Sequence, residues 1–178
     1  SSLKLMFHVT FLRQPMRNGI LKSIPRYGYE VITYSVEDVY SMLQFRFVLE
    51  SGFLKQRISM LTDRQIDELE KLNADCQNDD STPFEHWAAN ESFHLKLMSF
   101  WHNEYALQEL RLTMNRLTRA YAQFYWNSNR DVLLSHDTEH HTDIIDSLRK
   151  KDADTAIEFI SQDLHNFGGF EDFFRQAR

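Results

Sequence analysis

The sequence predicts a mainly α protein, an antiparallel bundle of six to seven helices preceded by a short β-hairpin head. Three observations carry this expectation. The 178 residues include only 5 Gly and 3 Pro, too few chain-breaking residues for a loop-rich or all-β fold. From Ser35 onward Leu, Met, Glu, Gln and Arg dominate, and all of these favour helix. Apolar residues recur there at helical spacing, with short polar links between the periodic runs.

The head comes first. Leu3–Val9 has a helical look, and Pro15 interrupts the segment after it. Ile20–Ile24 and Tyr29–Ile32 read as two short strands around a Pro25-Arg26-Tyr27-Gly28 turn. Ser35 is a good N-cap for the first long helix, with Glu37 and Asp38 in its first turn. That helix is expected to reach about Leu54, with Val39, Leu43, Leu49 and Phe53 as its apolar stripe. The second runs from near Thr62 to Cys76, and residues 77–82 form a polar link. Thr82 can cap the third helix, with Pro83 at its first position, and that helix extends to about Phe100. Asn103 opens the fourth, which ends around Trp126 to Asn129. The fifth covers roughly Val132 to Lys150, and the sixth runs from Asp152 to near Gly168-Gly169. A short last helix is expected from Phe170.

Composition limits the function classes. A chain of this length can bury a core without disulfides. Cys76, the single cysteine, excludes an internal disulfide framework and a cysteine-based zinc site. No apolar run is long enough for a bilayer and no leader pattern opens the chain, so a cytoplasmic protein without membrane partners is expected. The net charge is −6 but unevenly spread. Residues 1–34 hold Lys4, Arg13, Arg17, Lys22 and Arg26 against Glu30 alone. A basic head on an acidic body raises the question of nucleic acid.

Several polar residues stand where apolar ones are expected. Asn90 and His94 lie four apart on the third helix and so stack on one face, bordered by Trp87, Phe93 and Leu97. On the fifth helix His141 shares a stripe with Ile144, Ile145 and Leu148, whereas His136, His140, Asp143 and Ser147 fall toward solvent. On the sixth, Asp163 continues the stripe of Ala156, Phe159 and Ile160, with His165 on the wet side. Arg46, flanked by Leu43, Leu49 and Glu50, tilts inward on the first helix. Buried acids are rare unless paired or bound to a metal. Two readings therefore stay open. Asn90, His94, His141 and Asp163 form a divalent-metal site, or Asp163 forms a buried ion pair with His141 or Arg46.

The order of these residues carries a resemblance. Val36–Glu50, Asn90-Glu91-Ser92-Phe93-His94, Glu139-His140-His141 with Ile144, Ile145, Leu148 and Asp152, and Ala156–Leu164 resemble the FCD effector domain of FadR-subfamily GntR transcription regulators. Gly19–Val31 resembles the wing of that family's winged-helix DNA-binding domain. The resemblance implies two domains: a partial winged-helix head at 1–34 and an all-α effector domain at 35–178. It also implies a homodimer rather than an enzyme. A divalent metal (Zn, Ni or Mn) would be held by Asn90, His94, His141 and Asp163, and a small organic acid would be gripped by Arg46 with help from Arg116 and Arg119. Operator DNA would be contacted by Arg13, Gln14, Arg17, Lys22, Arg26 and Tyr27.

Two ligand positions depart from the family pattern. Asn90 stands where the family has Asp, and Asp163 where it has His, so the count of one carboxylate survives. The head is also short, because a full winged helix needs about twice as many residues before the wing. Two other functions remain to be separated from a regulator. One is a ferritin-like di-metal enzyme, suggested by the Glu91-x-x-His94 spacing. The other is a helical ligand-binding module without DNA activity.

Overall fold

The computed structural model describes residues 21–76, 82–127 and 140–165. The expectations for Leu3–Val9, the 132–139 part of the fifth helix, and a helix from Phe170 lie outside those residues, as do His136, Arg13, Gln14 and Arg17. The chain divides into two compact units, Ser1–Ser35 and Val36–Arg178.

In the first unit β1 (Leu21–Ile24) pairs antiparallel with β2 (Gly28–Val31), in the register Leu21↔Val31 to Ile24↔Gly28. Tyr27 N–H closes the turn on Ile24 O at 3.0 Å. Arg26 (φ 71°) and Gly28 (φ 110°) bend the chain through positive φ. Gly28 suits that conformation because it has no Cβ, and nothing lies near where one would stand. Tyr27 is 89% exposed.

The second unit holds six helices among the described residues: α1 (Val36–Arg57), α2 (Asp63–Cys76), α3 (Pro83–Ser99), α4 (Glu104–Asn127), α5 (His141–Lys150) and α6 (Ala153–His165). A short 3-10 turn, Ile58–Met60, follows α1. α1 continues past Leu54 to Arg57, because Phe53 and Leu54 are fully buried and carry its packed face another turn. α1 packs on α4 and α6, α2 on α3 and α5, α3 on α4, and α5 on α6.

Local chemistry sets several ends. Thr82 and Glu85 form a complete capping box at the start of α3. Asn103 Oδ1 accepts from Ala106 N–H ahead of α4, and Asp152 Oδ1 from Thr155 N–H ahead of α6. Lys151 sits in the left-handed region (φ 58°) after α5, where its N–H and that of Asp152 return to Leu148 O and Ser147 O. Replacing Thr82 with Ala should lower stability by about 1 kcal/mol and Tm by roughly 3 °C. Equal melting curves for the two proteins would show that the box contributes nothing.

Two side-chain positions differ from the sequence expectation. Ser147 is buried, not solvent-facing. Its hydroxyl donates to Asp143 O one turn back, which satisfies it inside the helix. His140 is half-buried at the N-cap of α5, with its ring against Phe159.

Candidate metal centre

The four polar positions singled out in the sequence are all buried: Asn90, His94, His141 and Asp163. α3 supplies the first two one turn apart, α5 supplies His141 in its first turn, and α6 supplies Asp163. Phe93 lies against both histidines, and Leu97, Ile144, Leu148 and Ile160 on the same three helices are buried apolar residues.

His94, His141 and Asp163 come together, each offering a ligand atom within 4.8 Å of the others. His94 Nε2 lies 3.0 Å from Asp163 Oδ2. The separation is that of an ion pair, although the ring is poorly aligned for a hydrogen bond. His141 Nε2 is 3.6 Å from Asp163 Oδ1, too far for a hydrogen bond. His141 stacks on Phe93 at 3.9 Å between centroids and meets the His94 ring edge-on. Neither nitrogen of His141, nor Asp163 Oδ1, has a hydrogen-bond partner.

A residue unforeseen in this role completes the cluster. Glu50 of α1 is fully buried and has one oxygen on each of two partners. Oε1 accepts from Arg46 Nε at 2.9 Å, and Oε2 stands 2.6 Å from His94 Nδ1. The available signal was the four-residue spacing of Arg46 and Glu50 on the inward face of α1. Arg46 is likewise buried, and its Nη2 has no partner. Of the other arginines expected at the site, Arg119 is half-buried on α4 and Arg116 is exposed. In the hairpin unit Lys22 lies on β1, and Arg26 and Tyr27 are exposed at the turn.

The electrostatics separate the two imidazoles. Burial is the largest influence and works against a charged His94, but Glu50 and Asp163 together outweigh it and the repulsion from Arg46, so the pKa is pushed up to about 9. For His141 burial dominates, Asp163 offsets it only in part, and the pKa is pushed down to about 3. Burial also opposes ionisation of Glu50 and Asp163. The cations beside them win, Arg46 and His94 for the first and chiefly His94 for the second, and both pKa values are lowered.

This gives the metal-free protein a pH profile. His94 contributes stability in full below its unfolded value near 6.5 and loses it as pH rises toward 9. His141 contributes above 6.5 and loses it as pH falls toward 3, where the two carboxylates add to the loss. Urea denaturation in chelator should therefore show a maximum near pH 6.5, with the His94 limb worth roughly 3 kcal/mol at most and the His141 limb roughly 5 kcal/mol at most. A flat profile between pH 6.5 and 9 would contradict the Glu50–His94–Asp163 arrangement.

The donor set fits a divalent metal. Two imidazoles and a carboxylate are ligands for Zn, Ni or Mn. A buried ring nitrogen without a partner costs about 1–3 kcal/mol, which coordination would remove at the one nitrogen of His141 that binds. Asp163 stands nearer His94 than the expected partner His141, which at 3.6 Å is left without a hydrogen bond. Arg46 pairs with Glu50, not with Asp163. A second metal has less to bind it. Glu91 is half-buried and accepts from Thr118 Oγ1 at 3.3 Å, outside the three-residue group. The His140–Asp143 pair is separated by 3.9 Å.

A model of the FCD domain family matches residues 41–166. No curated protein matches the chain. Among solved structures, E. coli McbR/YncC superposes with a TM-score of 0.73 at 15% identity, covering 93% of this chain and 82% of that one. A GntR family transcriptional regulator from Pseudomonas syringae pv. tomato gives 0.62 at 19% identity, covering 94% and 70%. A GntR regulator from a Rhodococcus species, described as putative, gives 0.68 at 15% identity, covering 94% and 78%. At these identities the likeness is one of fold. No helix among the described residues is long and apolar enough to cross a membrane.

Proposed function

The chain belongs to the FCD domain family, and from that premise we propose that it is a ligand-responsive, DNA-binding transcription regulator whose helical domain holds a divalent metal and a small organic acid. The observation that carries this reading is the buried meeting of His94, His141 and Asp163 in an FCD domain. These three residues would hold the metal, with Asn90 as a neutral oxygen donor from the turn before His94. When bound, the metal would supply a Lewis acid for an acid's carboxylate. Arg46 presents a buried Nη2 without a partner, and a guanidinium grips a carboxylate well. Arg119, half-buried on α4, would assist, and Arg116, being exposed, would serve at most at the rim.

Lys22, Arg26 and Tyr27 of the hairpin, with Arg13, Gln14 and Arg17 before it, would contact operator DNA as part of a winged-helix head. A homodimer would place two such heads on a palindromic operator, and ligand binding in the bundle would bias their spacing. The fold shared with GntR regulators supports this reading over an enzyme.

The test is a gel-shift titration of the full chain on the DNA upstream of its own gene, with and without zinc and small carboxylates. The expected result is binding at low salt that weakens steeply as salt rises and changes with ligand. No DNA binding at low salt, beside a carboxylate-dependent thermal shift lost in Arg46→Ala, would leave a ligand-binding module and end the regulator reading.

A further inference from the structure

The two oxygens of Glu50 divide their work. One is committed to Arg46 Nε at 2.9 Å and the other to His94 Nδ1 at 2.6 Å, with all three residues buried. An ionised carboxylate can only accept a hydrogen bond, so the Nδ1 proton must point at Glu50. The opposite ring nitrogen, Nε2, is thereby turned toward Asp163 Oδ2, 3.0 Å away. We infer that Glu50 is a positioning residue for the metal centre, holding the His94 ring by Nδ1–H so that Nε2 is the ligand atom presented beside Asp163 and His141. The inference rests on reading that cluster as a metal site.

The physical reasons are local. An imidazole can ligate through either nitrogen, and the hydrogen bond on the other one chooses. A carboxylate behind a histidine fixes ring orientation and strengthens the donor nitrogen. Around His94 the remaining aromatic neighbours, Phe93 and His141, approach edge-on and hold the ring by packing alone. The same carboxylate anchors Arg46, so one side chain ties the α1 guanidinium to the α3 imidazole.

The experiment measures zinc affinity of the full chain by competition with a chromogenic chelator, and the His94 Nδ1–H resonance by NMR. Glu50→Gln keeps an acceptor oxygen, whereas Glu50→Ala removes it. The paired change Arg46→Met with Glu50→Leu removes both charges, so neither is left buried alone. Zinc binding is expected to weaken about 10- to 100-fold in Glu50→Ala and in the paired variant, with Glu50→Gln recovering most of the loss. The Nδ1 proton should exchange slowly in wild type and Glu50→Gln and be lost from the paired variant. A paired variant that melts cooperatively and binds zinc like wild type overturns the inference, as does equal loss in Gln and Ala variants. If wild type binds no zinc, the metal-centre reading itself fails. The Nδ1 proton of the metal-free protein, present in wild type and absent in the paired variant or not, then decides Glu50's hold on the ring.

Discussion

Asp163→Ala is expected to abolish measurable zinc binding and to destabilise the metal-free protein by about 3 kcal/mol or more at pH 6. Asp163 is the only carboxylate in the three-residue group, and both imidazoles lie against it. Two neutral imidazoles and an amide oxygen would leave the metal's charge uncompensated in an apolar surround. The stability loss has a separate origin. Without Asp163 the buried His94 cation keeps Glu50, but Arg46 already shares that carboxylate. The cluster then carries one positive charge in excess. His94 can relieve the excess by releasing its proton, so the loss should shrink as pH rises from 6 to 9.

Asp163→Asn separates the charge from the shape, because it keeps the volume and one oxygen. It should melt between wild type and Asp163→Ala and bind zinc at least about 100-fold more weakly than wild type. Equilibrium dialysis with elemental analysis reads the zinc affinity and urea denaturation the stability. A folded Asp163→Asn protein with wild-type zinc affinity would remove Asp163 from the ligand set.

How much of this was legible in the chain follows from which residues break a pattern. Asn90, His94, His141 and Asp163 each interrupt an apolar stripe, and a polar group at a stripe position is visible from spacing alone. All four are buried. Glu50 was harder to see. It stands on the buried side of α1 between Arg46 and Phe53, but an acid beside an arginine usually means a solvated pair on a helix surface. The packing of α1 on α4 and α6 and the approach of His94 from α3 make it interior. Arg116 illustrates the opposite difficulty. The buried face of α4 is set by Leu110, Met114, Leu117 and Tyr121, and Arg116 falls off it while Arg119 stays at its border. Ser147 was misplaced because a serine can satisfy its hydroxyl on its own helix and so enter a core without a partner from elsewhere.

Trp87→Ala is expected to cost about 3–5 kcal/mol and to lower Tm by roughly 10 °C. Trp87 is 2% exposed and stacks on Tyr121 of α4, with ring centroids 5.1 Å apart and planes 11° from parallel. Its Nε1–H donates to Thr118 Oγ1 at 2.8 Å. The indole is therefore both the largest side chain buried on α3 and a polar fastening between α3 and α4. Trp87→Phe should keep most of the packing and lose the hydrogen bond, for a cost of about 1–2 kcal/mol including the oxygen left without its donor. The two variants together separate volume from hydrogen bonding, and a Trp87→Phe protein that melts like wild type would mean that the indole N–H contributes little. The position has a consequence for the site as well. α3 carries Asn90 and His94 one and two turns after Trp87, so loosening its seat on α4 moves two of the four expected ligand positions against the two on α5 and α6. Zinc affinity should accordingly fall in Trp87→Ala at a temperature where the protein is still folded, although the indole offers no ligand atom. Unchanged affinity there would show that Glu50 and the aromatic neighbours alone hold His94 in place.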